Sequence, residues 1–158
     1  MNSNLIEDLN STLIEDLNDL IRINNDRISG YEKAVEEAKT LDVDLHAIFN
    51  TMADDSRKYV AELTEQVHKL GGESATDSTT IGKIYRVWMD VKATFAGKDR
   101  KTILESCEFG EDAAQKTYKE ALFSDAEMST ETRQLIAKQQ AALKEAHDLI
   151  RKYRDMQP

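Results

Sequence analysis

Four stretches of this chain carry apolar residues alternately three and four positions apart, and each stripe is interrupted near its middle by a polar residue: Asn24, Asp55 or Ser56, Glu111 and Gln139. That spacing gathers the apolar side chains on one face of an α-helix, so four helical faces must be buried together. A buried polar group costs a few kcal/mol unless it is partnered. Polar residues at matching depth in four stripes therefore predict a shared polar centre, and the middle of a helical bundle is where metal sites are built.

The first stripe reads Leu17, Ile21, Asn24, Ile28, Tyr31, Val35 and Ala38. The second carries Leu45, Ile48, Phe49, Met52, Tyr59, Leu63, Val67 and Leu70, and passes through Asp55 and Ser56. The third runs through Ile103, Leu104, Cys107, Glu111, Ala114, Tyr118 and Leu122, and the fourth through Leu135, Ile136, Gln139, Leu143, Ala146 or His147, Ile150 and Tyr153. A shorter amphipathic stretch, from Ile81 to Phe95, lies between the second and third, with Tyr85 and Trp88 placed to clamp it onto the bundle. Asp42 or Asp44 is positioned to cap the second helix and Ser129 or Thr130 the fourth, while Gly71-Gly72 supplies a stop that tolerates the left-handed conformation. The only proline is the last residue, so nothing interrupts these helices. Helices are predicted near 4–40, 43–70, 79–96, 99–123 and 130–155.

Connection lengths select the topology. Short loops make the first two main helices an antiparallel hairpin, and likewise the last two. The long segment between the hairpins carries its own helix and can return the chain to the other end of the bundle, which makes the second and third main helices parallel. The fold class expected is all-α, a ferritin-like four-helix bundle with a long crossover that carries an additional short helix.

The formal charge of −9, with no basic stripe, argues against binding nucleic acid or an anionic membrane. No apolar run suits a signal peptide or a membrane span. One cysteine, Cys107, allows no internal disulfide and fits a reducing, cytoplasmic setting; on its stripe it reads as a small core residue. Ser3 to Asn10 reads SNLIEDLN and Ser11 to Asn18 reads STLIEDLN, matching at seven of eight positions. Residues 1–16 are therefore expected to be a helical extension and 17–158 a single bundle domain.

The strings LNDLIRINNDRISGYEKA, LGG, GKIYRVWMDVK, CEFGEDAAQKTYKEAL and AHDLIRKYRD carry a resemblance to the ferritin-like superfamily of rubrerythrin and bacterioferritin. More closely, the chain resembles an uncharacterised bacterial family of ferritin-like four-helix bundles. Di-iron members of the superfamily use a Glu on the first helix, Glu-x-x-His on the second, Glu on the third and Glu-x-x-His on the fourth. Carried over, these positions fall on Asn24, on Asp55 and Lys58, on Glu111, and on Gln139 and Ala142. Only two carboxylates survive and neither histidine does. The resemblance thus implies a di-iron position rebuilt as a layer of hydrogen-bonded Asn24, Asp55 or Ser56, Glu111 and Gln139.

Other candidates are weighed beside it. Glu65-Gln66-Val67-His68 spells Glu-x-x-His but lies far along the second helix, and reads as a solvated helix end. Glu108 flanks the third stripe, so Asp55, Glu108 and Glu111 are the candidate ligands of a rearranged metal site. Glu32, His46 and His147 fall at one level and form a minor candidate cluster, with three boundary side chains as the plainer reading. The function expected is a non-enzymatic bundle whose role, stress-associated or other, the sequence leaves open, with no cofactor and a homo-oligomer formed through helix faces. The alternative is a metal-binding, iron-handling or redox protein using the rearranged site with iron or another divalent metal. If the layer is structural and tolerates an amide, Glu111→Gln should be nearly neutral for stability.

Overall fold

The structure, a computed structural model, describes residues 3–38, 42–77, 100–124 and 126–158. Among the described residues are four helices and no strand: α1 (Ser3–Glu37), α2 (Val43–Lys69), α3 (Arg100–Leu122) and α4 (Thr130–Asp155). The crossover helix expected over 79–96, with Tyr85 and Trp88, lies outside the described residues. No described helix is long and apolar enough to cross a membrane.

Cross-helix bonds give the directions. Asn24 of α1 meets Ser56 of α2 and Tyr118 of α3, and Arg27 meets Met52 and Glu111, so α1 runs antiparallel to both. Gln66 with Thr132 and Glu62 with Gln139 make α2 and α4 antiparallel, as Gln115 with Gln140 and Asp112 with His147 do for α3 and α4. The second and third main helices are therefore parallel. Arg100 at the start of α3 accordingly reaches Asp42 and Asp44 at the start of α2.

Local chemistry sets the helix ends. Ser129 caps α4, its hydroxyl accepting from Thr132 N–H at 3.1 Å. Asp42 occupies the N-cap position of α2 but makes no side-chain cap bond; its carboxylate goes to Arg100 instead. At the other end of α2, Gly71 takes φ +80°, and the Gly71 and Gly72 amides donate back to His68 and Val67 at 3.0 Å each. That pair of bonds closes the helix with its last carbonyls satisfied.

The segment after this stop lies back along α1. Gly72 packs so tightly on Ile14 that a Cβ there would fall 2.7 Å from the Ile14 side chain. Asn18 donates to Glu73 O at 3.0 Å and accepts from Ala75 N–H at 2.8 Å, and one turn farther Arg22 and Asn25 both bond to Asp77.

α1 runs unbroken through residues 16 and 17, and Leu13 is buried. Its buried face includes Leu13, Leu17, Leu20, Asn24, Arg27, Tyr31, Ala34 and Ala38, an uninterrupted four-three alternation. The expected stripe is corrected here: Ile28 and Val35 are half-buried flanks, and Arg27 and Ala34 hold the inward positions. Among the described residues the apolar core is in two parts. One, with Leu17, Leu20, Leu63, Val67, Ala114 and Ile136, fills the end near the α2 stop; the other, with Tyr31, Leu45, Phe49, Ile103, Cys107 and Ile150, fills the opposite end. Between them lies a polar layer.

Candidate functional site: a buried polar layer with an internal ion pair

Each helix contributes to the layer from the middle of its buried face. Asn24, Ser56 and Glu111 are 0 % exposed and Gln139 is 1 %. Asp55 is half buried on the flank of α2, so Ser56 takes the inward position on the second stripe. Lys58, one turn along, is exposed.

The residue that organises the layer is Arg27, which is 1 % exposed. Its Nε donates to Glu111 Oε1, one Nη–H to Ser56 Oγ, and the other lies 3.8 Å from Met52 Sδ. Its guanidinium carbon sits 5.3 Å from the centre of the Tyr31 ring, within cation–π range. Burial opposes the charge on Arg27, but the Glu111 carboxylate beside it raises the guanidinium pKa above its ordinary value, so the cation persists. Burial drives Tyr31 and Tyr118 upward as well, leaving both phenols neutral donors and acceptors.

From Arg27 the hydrogen bonds run in one direction across the bundle. Ser56 receives from Arg27 and donates to Asn24 Oδ1 at 2.9 Å; Asn24 donates to Tyr118 Oη and to Leu20 O at 2.8 Å each. Tyr118 donates to Gln139 Oε1 at 2.6 Å, and the Gln139 amide donates to Glu62 Oε1 at 3.3 Å and Tyr59 O at 3.5 Å. Ser, Asn, Tyr and Gln each supply one donor and one acceptor to this chain, so the desolvated polar groups partner one another. The chain starts on a buried cation and ends on a half-buried carboxylate.

The expected Glu111→Gln neutrality does not survive this geometry. It assumed a layer without a buried cation; with Arg27 present, an amide at position 111 would leave that cation uncompensated in the core. Arg27 escaped notice because a charged residue beside Ile28 reads as a solvated flank. The overlooked signal was the four-three alternation from Leu13 to Ala38, which passes through residue 27.

The remaining candidates disperse. Glu108 lies on the half-buried flank of α3, one turn before the inward Glu111, and pairs with Arg154 of α4, so Asp55, Glu108 and Glu111 are not brought together. Glu32 is on the surface, 2.6 Å from Arg57, and His46 is half buried in α2. His147 faces α3, with Nε2 2.6 Å from Asp112 and Nδ1 3.2 Å from Asp148. Glu32, His46 and His147 therefore do not converge, because His147 looks across the α3–α4 contact rather than toward α1 and α2. Glu65 and His68 are both exposed at the end of α2, and Cys107 is buried in the core. Among the described residues, the group whose ligand atoms converge is Glu108, Asp112 and His147.

The family described as a domain of unknown function, DUF2383, matches residues 12–124. No curated protein matches the chain. Among solved structures, a mutant of Dps1 from Mycobacterium smegmatis superposes with a TM-score of 0.79 at 13% identity, covering 98% of this chain and 99% of that one. A ferritin-like, diiron-carboxylate protein from Bacillus anthracis gives 0.66 at 17% identity, covering 97% and 96%. At these identities the likeness establishes the ferritin-like fold. The donors here do not fit the two irons that such a centre holds in di-iron relatives. A guanidinium is hydrogen-bonded to Glu111, the one fully buried glutamate among the described residues, and the neutral side chains of Asn24, Ser56 and Gln139 are held in one hydrogen-bond chain, Gln139 through Tyr118.

Proposed function

We propose, for a chain that belongs to the DUF2383 family, that the bundle is non-enzymatic and that Arg27 serves as a fixed internal cation where di-iron bundles hold metal. The observation that supports this reading is the fully buried Arg27–Glu111 pair. A cation that cannot dissociate ties α1 to α3 and, through Ser56, to α2, and the hydrogen-bond chain carries the tie to α4. The bundle then acts as a scaffold in a reducing cytoplasm, assembling as a homo-oligomer through its surface; Val43, Phe123 and Met156, 70%, 79% and 67% exposed, are apolar positions available to such contacts.

The other reading, iron handling at Glu111 and Asp55, requires Glu111 to abandon Arg27 and leave it unpaired in the core. Ferrous iron added in air to untagged protein tests the two. The scaffold reading expects oxidation at the rate in buffer alone, with or without the joint replacement Arg27→Met and Glu111→Leu. Catalysed oxidation that this double variant abolishes would overturn it. Light scattering tests the assembly: a strictly monomeric protein at all concentrations would remove the oligomeric part of the proposal.

A further inference from the structure

Glu108 and Asp112 are four residues apart on α3 and so share one helix face. His147 projects onto that face from α4, and one ligand atom from each of the three lies within 4.8 Å of the others. Glu108 and His147 are half buried and Asp112 is exposed, so the group sits at the mouth of the α3–α4 groove, open on one side. We propose that Glu108, Asp112 and His147 form a binding site for a first-row divalent cation, separate from the closed centre of the bundle.

Three features support the assignment. Two carboxylates and an imidazole, with space on the open side for water, are a nitrogen–oxygen donor set suited to zinc, manganese or ferrous ions. The imidazole is also held from behind, where Nδ1 lies 3.2 Å from Asp148, a residue outside the group. Metal-binding histidines characteristically have their second ring nitrogen fixed by a carboxylate in this way, which sets the ring orientation and presents the other nitrogen. Finally, the competitor for Glu108 is replaceable. Arg154 contacts Glu108 but also bonds to Asp155 through Nε at 3.0 Å and Nη2 at 2.7 Å, so it keeps a partner when Glu108 turns to a cation. A cation there would join α3 to α4 on the outside, as Arg27 joins α1 to α3 on the inside.

Zinc titration of untagged, full-length protein by calorimetry, with the His147 ring signals followed by NMR, tests the site. Saturable binding is expected to shift those signals, to weaken at least about tenfold in His147→Ala and in Asp112→Asn, and to strengthen severalfold in Arg154→Ala, which frees Glu108. Circular dichroism of each variant checks that the helices are retained. The double variant Arg27→Met with Glu111→Leu should bind zinc as the parent does, which separates this site from the centre. Absence of saturable binding, or binding that His147→Ala and Asp112→Asn leave unchanged, would overturn the assignment.

Discussion

Two glutamates one turn apart on α3 each hold an arginine from another helix, and the two pairs behave as different objects. Glu111 and Arg27 have side chains 0% and 1% exposed, whereas Glu108 and Arg154 have side chains 14% and 27% exposed. Inside, neither partner can turn to water, so each is obligatory for the other and removal of one strands a charge. Outside, both ions have alternatives, Asp155 for the arginine and solvent for the glutamate, so the same chemical pair becomes exchangeable. Depth, rather than composition, decides which pair can hold the fold together and which can make way for another ligand.

The largest effect that would break this contrast is at the inner pair. Arg27→Ala or Glu111→Ala is expected to cost about 3–5 kcal/mol in urea denaturation, because a lone charge is left in the core. Arg27→Met combined with Glu111→Leu should recover most of that loss. A double variant as unstable as the singles would show that packing, not charge, governs the layer.

Next comes the hydrogen-bond chain. Tyr118→Phe removes the hydroxyl between Asn24 and Gln139, and a loss of about 1–3 kcal/mol is expected from the acceptor and donor left unsatisfied. No measurable change would mean that the chain adds nothing to the ion pair.

At the outer pair, Arg154→Ala should lower the stability of metal-free protein by about 1 kcal/mol or less. A loss matching that of Arg27→Ala would erase the distinction drawn from depth.

The smallest effect concerns a second surface contact, Arg100 with Asp44. The Arg100 hydrogen bond lowers the Asp44 pKa from 3.8 to about 2. A carboxyl whose pKa is lowered by folding stabilises fully above its unfolded value and loses that contribution as pH falls through its folded one. The stability difference between the parent and Asp44→Asn should therefore be small and constant above pH 5, and shrink as acid approaches pH 2. A difference that grows in acid would contradict the assigned pairing.

The fold was legible because its causes are local. Four stripes at helical spacing, a Ser129 cap, a Gly71 stop and unequal loops are each visible in a few residues, and together they leave little choice of architecture. Asn24, Glu111 and Gln139 were legible for the same reason, as polar interruptions of apolar stripes. Arg27 was not, because choosing between it and Ile28 depends on the rotation of α1 against three other helices. Tyr118 was read as one more apolar position, since only its register against Asn24 and Gln139 gives the hydroxyl its task. His147 was assigned to the wrong neighbours because level along a bundle says nothing about which groove a side chain enters.

The segment from Gly72 to Asp77 laid along α1 bears on how the chain finds its topology. Arg27 and Glu111 lie 84 positions apart in sequence, and the entropy lost in closing a loop grows with the logarithm of its length. Pairing of α1 with α2 already removes about half of that length; the contacts of Ile14, Asn18, Arg22 and Asn25 shorten the remainder, from the end of α2 to Glu111, by about seven positions more. A halving is worth only about 0.6 kcal/mol, so what these contacts contribute is chiefly direction. The outer face of α1 thus serves as a track that points the chain toward the end of the bundle where α3 begins, as the parallel arrangement of α2 and α3 requires.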